Sequence, residues 1–210
     1  MPLNIAILGA TGFVGRALVR RLQQDGHAVT IISRNLNAHL LRLLPPTVRQ
    51  INIDVYDASK LQSAIEGADV AINLVGILNE KGDNGRGFHR AHVELTQTLI
   101  RACKNAGVKR LLQMSSLNAG RGESHYLKSR GEAEQAVKQS GLDWTIFEPS
   151  VIFGPGDGLF TRFGKLLKLA PVMPLARADT KFAPVFIGDV VQAFRQALAD
   201  KKTIGEVYEL

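Results

Sequence analysis

Gly9-Ala10-Thr11-Gly12-Phe13-Val14-Gly15 is the stretch that decides the fold of this 210-residue chain. It follows the apolar run Leu3-Asn4-Ile5-Ala6-Ile7-Leu8. It opens a segment, Phe13 to Gln24, in which Val14, Ala17, Leu18 and Leu22 recur at helical spacing. The pattern reads as strand, glycine turn, helix. Such a turn aims backbone N–H groups and the positive end of a helix dipole at one spot, which suits a pyrophosphate. Gly9 permits the tight turn, Gly12 lets the backbone approach the phosphates, and Gly15 lets the helix pack close to the strand. With Thr11, Phe13 and Val14 completing the loop, a dinucleotide site is expected here.

Working outward, strand-like runs at 3–8, 28–33, 48–53, 69–75, 109–114 and 142–148 alternate with helical patterns at 13–25, 37–44, 58–66, 86–106 and 125–140. Ala71-Ile72-Asn73-Leu74-Val75 is apolar on both faces, as a parallel sheet covered by helices requires. The alternation predicts an α/β fold: a doubly wound parallel Rossmann sheet in the order 3-2-1-4-5-6, with Glu206 to Leu210 as an optional seventh strand.

The pattern changes after residue 148. Phe153-Gly154-Pro155-Gly156-Asp157-Gly158 is a loop by composition. The basic segment Leu159 to Leu169 carries Arg162, Lys165 and Lys168, read as a solvated face. Phe160 and Phe163, at helical spacing, read as packing residues. A strand near 182–187 and a helix at 188–200 follow, with Asp189 expected to cap that helix. Residues 1–150 are therefore expected to form the dinucleotide-binding domain. Residues 151–210 are expected to form a small substrate-side region returning to it, incomplete because the chain stops on a strand.

Hydrophobic content of 45% and charged content of 21% are ordinary for a globular domain. No apolar run is long enough to span a membrane, and a strand starting near residue 3 implies no leader. One cysteine, Cys103, excludes an internal disulfide and reads as structural. A cytoplasmic location is expected. The net charge of +7 comes from scattered basic residues without a nucleic-acid motif, so an anionic small molecule is the expected partner and peripheral membrane contact stays open. His89 and His92 lack further ligands, so no metal site is expected.

The second strand ends at Ser33-Arg34 without the carboxylate that favours NAD. A guanidinium there suits a 2′-phosphate, so NADP(H) is expected over NAD(H). At the end of the third strand, Asp54 is placed to accept from the adenine amino group and Val55 to pack on the ring. Asp57 reads as the cap of the next helix. Leu74-Val75-Gly76 ends the fourth strand, where a glycine lets the backbone pass close to the cofactor.

Met114-Ser115-Ser116 ends the fifth strand, and Tyr126-Leu127-Lys128-Ser129-Arg130 opens the next helix. With GATGFVG, NLVG, EPSVIFGPGDG and FAPVFIGDVVQAF, these motifs resemble the extended or atypical short-chain dehydrogenase/reductases across essentially the whole chain. More narrowly, the chain resembles bacterial relatives of the nucleotide-binding accessory subunit of mitochondrial complex I, described as sugar-nucleotide epimerase-like.

The resemblance implies that Ser116 (or Ser115) hydrogen-bonds a reacting oxygen and that Tyr126 exchanges a proton with it. Position 130 would bind the nicotinamide ribose, with Ser115, Pro149 and Val151 lining the nicotinamide side. The family's residue four after the tyrosine is lysine, whereas here it is Arg130. Lys128 is no substitute, because two residues along a helix turn about 200°. Arginine differs from lysine in fork and reach, and a tyrosine of pKa about 10 needs help to act as a base. Two readings follow: an NADP(H)-dependent oxidoreductase or epimerase-like enzyme, or a non-catalytic NADP(H)-binding sensor or respiratory-complex assembly module. Sugar nucleotides, quinones and other carbonyl compounds are the substrate classes the resemblance allows, and its long helices often pair in a homodimer.

Overall fold

β1 (Asn4–Leu8) is buried from Ile5 to Leu8 because both its faces are covered. Ile5 and Ile7 enter one core and Ala6 and Leu8 the other, as the two-residue period of a strand dictates. The computed structural model describes residues 1–34, 44–158, 168 and 182–210. The helix expected at 37–44, apart from Leu44, lies outside them. So do Phe160, Arg162, Phe163 and Lys165, while Lys168 is exposed.

β1 pairs in parallel with β2 (Ala28–Ser33) on one side and with β4 (Val70–Asn73) on the other. β2 carries β3 (Arg49–Asn52). β4 is followed outward by β5 (Arg110–Met114), β6 (Asp143–Glu148) and β9 (Glu206–Glu209), all parallel. The seven-stranded order is β3-β2-β1-β4-β5-β6-β9. The expected Rossmann order is present, and the seventh strand with it. Between β1 and β4 the winding reverses, which leaves a crevice at the carboxyl ends of the strands.

One face is covered by α1 (Phe13–Gln24) and α5 (Ile187–Ala199), which contribute Leu18, Val19, Leu22, Val190 and Phe194. The Phe194 ring lies 4.2 Å from that of Phe147 on β6, and Arg195 on α5 pairs with Asp25 beyond the end of α1. The other face is covered by α2 (Ala58–Ile65), α3 (Leu95–Ala106) and α4 (His125–Lys138), through Leu61, Ile65, Leu99, Cys103 and Val137. Burial pushes the Cys103 thiol up to about 12, consistent with a packing role. Asp57 caps α2 by accepting from the N–H groups of Ser59 and Lys60, as its position suggests.

Three local expectations need correction. The stretch 86–106 is not one regular helix. Gly85, at φ +76°, opens a turn at Arg86–Phe88, which passes into a π-helix at His89–Glu94 before α3. Asp189 does not cap α5: Phe186 holds the N-cap position, and Asp189 sits within the first turn, where its charge meets the helix dipole. Phe153 is not part of the loop that runs to Gly158, because β7 (Ile152–Phe153) pairs in parallel with β8 (Val185–Phe186).

Candidate functional site

The glycine loop is shaped by contact as much as by conformation. Gly9 adopts φ +81°, and a Cβ there would lie 2.8 Å from the Leu74 carbonyl carbon. A Cβ on Gly15 would lie 2.4 Å from the Gly9 oxygen and 2.5 Å from Ala10 Cα. Both positions exclude a side chain because backbone meets backbone. Gly12 is the N-cap of α1 and supplies no side-chain cap, and the first turn holds no acidic residue. The N–H groups of that turn therefore face the loop without a carboxylate. Arg16 Nη1 donates to the Thr11 carbonyl at 2.8 Å, which adds a positive charge beside it. Phe13 and Val14 pack partly buried against the core.

At the adenine end, Arg34 is exposed, and its guanidinium lies 5.3 Å from the centre of the Tyr56 ring. Arg90, from the π-helix, lies 4.6 Å from the same ring. Ser33 ends β2 opposite Asn52. Asp54 is exposed and accepts from the Tyr56 N–H at 3.1 Å through Oδ1. Val55 is buried in the core beside Leu61, so little of its side chain is presented to a ring.

Beyond β4 the chain bends through Leu74, Val75 and Gly76. Asn73 is buried; its Oδ1 accepts from the Val75 N–H, and its Nδ2 donates to Thr96 and Gln113. A Cβ on Gly76 would lie 2.0 Å from Arg130 Nη2. The glycine thus makes room for a guanidinium from α4.

Tyr126, Arg130, Glu134 and Lys138 recur every four residues on α4 and so form one stripe. Arg130 is buried, and its Nη1 donates to the Met114 carbonyl at 3.2 Å and the Val75 carbonyl at 3.4 Å. It ties the end of β5 to the chain leaving β4. Its Nε is buried without a hydrogen-bond partner, and its guanidinium lies 5.4 Å from the Tyr126 ring centre. Lys128 is exposed, as its helical phase requires, and lines a surface cavity with Tyr56 and Arg90.

The two serines part company. Ser115 Oγ donates to Glu134 Oε1 at 2.6 Å, whereas Ser116 Oγ is buried with no partner. Ser116 is therefore the serine with an uncommitted hydroxyl. The loop after it is pinned to α4: the Gly120 N–H donates to the Leu127 carbonyl at 2.8 Å, and Gly131 accommodates the Gly120 backbone. Pro149 is buried and its carbonyl accepts from the Leu117 N–H. The Val151 carbonyl accepts from the Val185 N–H, which holds β7 against β8.

Three residues were not singled out from the sequence for these roles. Buried His92 accepts from the Ile77 N–H at Nε2, and its Nδ1 lies 2.8 Å from Ser129 Oγ, which in turn donates to the Tyr126 carbonyl. Accepting at Nε2 puts the ring proton on Nδ1. Burial, with the Arg130 charge second, pulls His92 down to about 3, so it is neutral. Its ring also meets Tyr126 edge-on at 5.5 Å. Glu134 is buried against Ser115, and Glu148 is buried beside Glu134. Among the described residues, no three His, Cys, Asp or Glu side chains converge as metal ligands; His89 instead faces Glu94 and Glu132 at the surface.

These features fit a dinucleotide: a loop that excludes side chains, an uncapped helix start, and two buried polar atoms, Ser116 Oγ and Arg130 Nε, left unpaired. A family model described as NAD(P)H-binding matches residues 9–161. The chain belongs to this NAD(P)H-binding family. Its fold is Rossmann-like.

Its relatives include NADH dehydrogenase [ubiquinone] 1 alpha subcomplex subunit 9, mitochondrial, of Arabidopsis thaliana, 30% identical over 97% of this chain and 52% of that protein. The ceramide reductase of Caulobacter vibrioides is 29% identical over 88% of this chain and 57% of that protein. Among solved structures, UDP-glucuronic acid 4-epimerase from Bacillus cereus, in complex with UDP-glucuronic acid and NAD, superposes with a TM-score of 0.83. That likeness covers 99% of this chain and 77% of that one at 20% identity, and it shows the fold. The chain spans about half the length of the curated relatives it matches.

The expected cytoplasmic location is corrected by these relatives. The Arabidopsis thaliana, Neurospora crassa and Mus musculus proteins, matched over 96–97% of this chain, are mitochondrial by name. A single buried cysteine and the lack, among the described helices, of one long and apolar enough to cross a membrane do not discriminate between compartments.

Proposed function

We propose that this chain binds NADP(H) along the crevice from Arg34 to Tyr126 and exchanges hydride between its nicotinamide and a carbonyl or hydroxyl carbon of a small substrate. The observation that carries the reading is the Ser116 hydroxyl, buried and unpaired at the end of β5, on a loop tied to the helix that carries Tyr126. A native protein rarely buries a hydroxyl without a partner, and substrate oxygen is the partner this site lacks.

In this reading the first turn of α1 and Arg16 bind the pyrophosphate, and Arg34 takes the 2′-phosphate. Asp54 and the backbone at Val55 meet the adenine, and Ser33, Leu74, Val75 and Gly76 line the path between. Arg130 steadies the floor beneath the nicotinamide ribose, where its unpaired Nε is the free donor. Ser116 orients the reacting oxygen, Tyr126 holds or moves the proton at its phenolic oxygen, and Pro149 and Val151 border the ring. The bound cofactor supplies the hydride. His92 acts as a positioning residue through Ser129 and the Tyr126 carbonyl. Residues 1–150 supply the cofactor half and residues 151–210 the substrate side. The substrate class is a carbonyl compound, and the ceramide reductase relative favours including long-chain ketones beside sugar nucleotides and quinones.

A second reading is a binding module without turnover. Arg130 favours it, because Nη1 is already spent on two backbone carbonyls and a guanidinium differs from the expected ammonium in fork and reach. The subunit-9 relatives favour it as well. NADPH oxidation across a panel of sugar nucleotides, quinones and long-chain ketones separates the two. Turnover lost in Tyr126→Phe supports the enzyme; tight NADPH binding with no Tyr126-dependent turnover supports the module.

A further inference from the structure

We propose that Glu148, set against Glu134, determines the preference of this site between oxidised and reduced cofactor by releasing or holding one proton. The inference rests on the reading that the nicotinamide end lies beside Ser116 and Pro149.

Glu148 is the last residue of β6 and immediately precedes Pro149. Met114 pairs with Phe147, so Ser115 and Glu148 continue the register by one residue toward the crevice. Met114 and Phe147 face the α1 side; alternation therefore turns Ser115 and Glu148 to the α4 side, where Glu134 waits. Glu134 and Glu148 are 4% and 5% exposed. Glu148 Oε2 has no hydrogen-bond partner. Glu134, by contrast, accepts from Ser115 Oγ at 2.6 Å and from Lys138 Nζ at 3.0 Å. Glu134 thus has two donors where Glu148 Oε2 has none, and two buried negative charges side by side are costly. The proton therefore belongs on Glu148. From the remaining neighbours, Arg121 on the loop after β5 favours ionisation of Glu148, and Glu209 on β9 opposes it. Burial first, then the charge and hydrogen bonding of Glu134, raise the Glu148 carboxyl to about 7.

The oxidised nicotinamide ring is positively charged and the reduced ring is neutral. A positive ring near Glu148 favours its ionised form, and linkage makes the effect reciprocal. NADP+ binding therefore expels a proton that NADPH binding leaves in place. The affinity ratio shifts toward NADP+ as pH rises through neutrality.

Titration calorimetry of NADP+ and of NADPH near neutral pH, each in two buffers of different ionisation enthalpy, counts the protons released. The expected result is greater release with NADP+, no difference between the cofactors in Glu148→Gln, and a several-fold shift of the affinity ratio toward NADP+ from about pH 6 to about pH 8 in the parent protein. In Glu134→Gln the same shift moves to lower pH. Equal proton counts in the parent protein overturn the inference without any variant, and so does a difference that persists in Glu148→Gln. If neither cofactor binds, the underlying reading falls and the inference with it; if both bind with equal proton counts, the inference alone falls.

Discussion

Gly76 and Arg130 occupy complementary space: a methyl group on Gly76 would sit 2.0 Å from Arg130 Nη2. The guanidinium is buried and tied to the Val75 and Met114 carbonyls, so it has little freedom to yield. Gly76→Ala is expected to break those bonds at a cost of about 1–3 kcal/mol. Thermal unfolding should show that loss, and NADPH titration should show weaker binding. Gly76→Ala combined with Arg130→Ala should recover part of the stability, since the clash is then gone.

Gly15 meets backbone, which cannot rotate away. A Cβ there approaches the Gly9 oxygen at 2.4 Å. Gly15→Ala is expected to destabilise the fold by about 1–3 kcal/mol through overpacking. Its effect on NADPH affinity should exceed that of an alanine at exposed Gly158, measured in the same titration.

Serine substitutions should split by role. Ser115→Ala strips a hydrogen bond from a buried carboxylate and is expected to cost about 1–3 kcal/mol of stability. Ser116→Ala removes a hydroxyl that bonds nothing in the protein and should leave the melting temperature nearly unchanged. On any substrate that turns over, Ser116→Ala should lower kcat; equal stability losses in the two variants would contradict the division.

Two buried groups give stability opposing pH dependences. Glu148 is raised from 4.5 to about 7, so the native state holds its proton more tightly, and stability falls as pH rises across that window. His92 is lowered from 6.5 to about 3, so the native state resists its protonation, and stability is lost as pH falls through that window. Glu148→Gln should abolish the fall toward pH 7 in a denaturant series, and the remaining profile should rise with pH to about 6.5 and then level.

Much of this was legible because period and glycine chemistry are local. The run to Leu8, the turn at Gly9 and the helix from Phe13 fix β1 and α1 without reference to the rest of the chain, and apolar runs at fixed intervals place the other central strands. The π-helix at His89–Glu94 was not legible, because a one-residue widening leaves the apolar spacing of Ala91, Leu95 and Leu99 helical. Asp189 misled because the two-residue strand Val185–Phe186 runs straight into α5 and leaves no separate cap residue. Glu134 was not singled out, because nothing local in the sequence of α4 distinguishes it from a solvated charge. Only the approach of β5 and β6 shows it to be buried against Ser115 and Glu148. His89 and His92 lie three residues apart in the sequence, whereas the role of His92 depends on Ile77 and Ser129, 15 and 37 residues away.

The choice of cofactor is the claim on which the rest depends. NADPH and NADH titrated side by side, against the parent protein and Arg34→Asp, test it most directly. The parent is expected to bind NADPH at least about tenfold more tightly, about 1.4 kcal/mol, and Arg34→Asp to erase the preference by weakening NADPH alone. Equal affinities in the parent, or an NADPH preference untouched by Arg34→Asp, would contradict it.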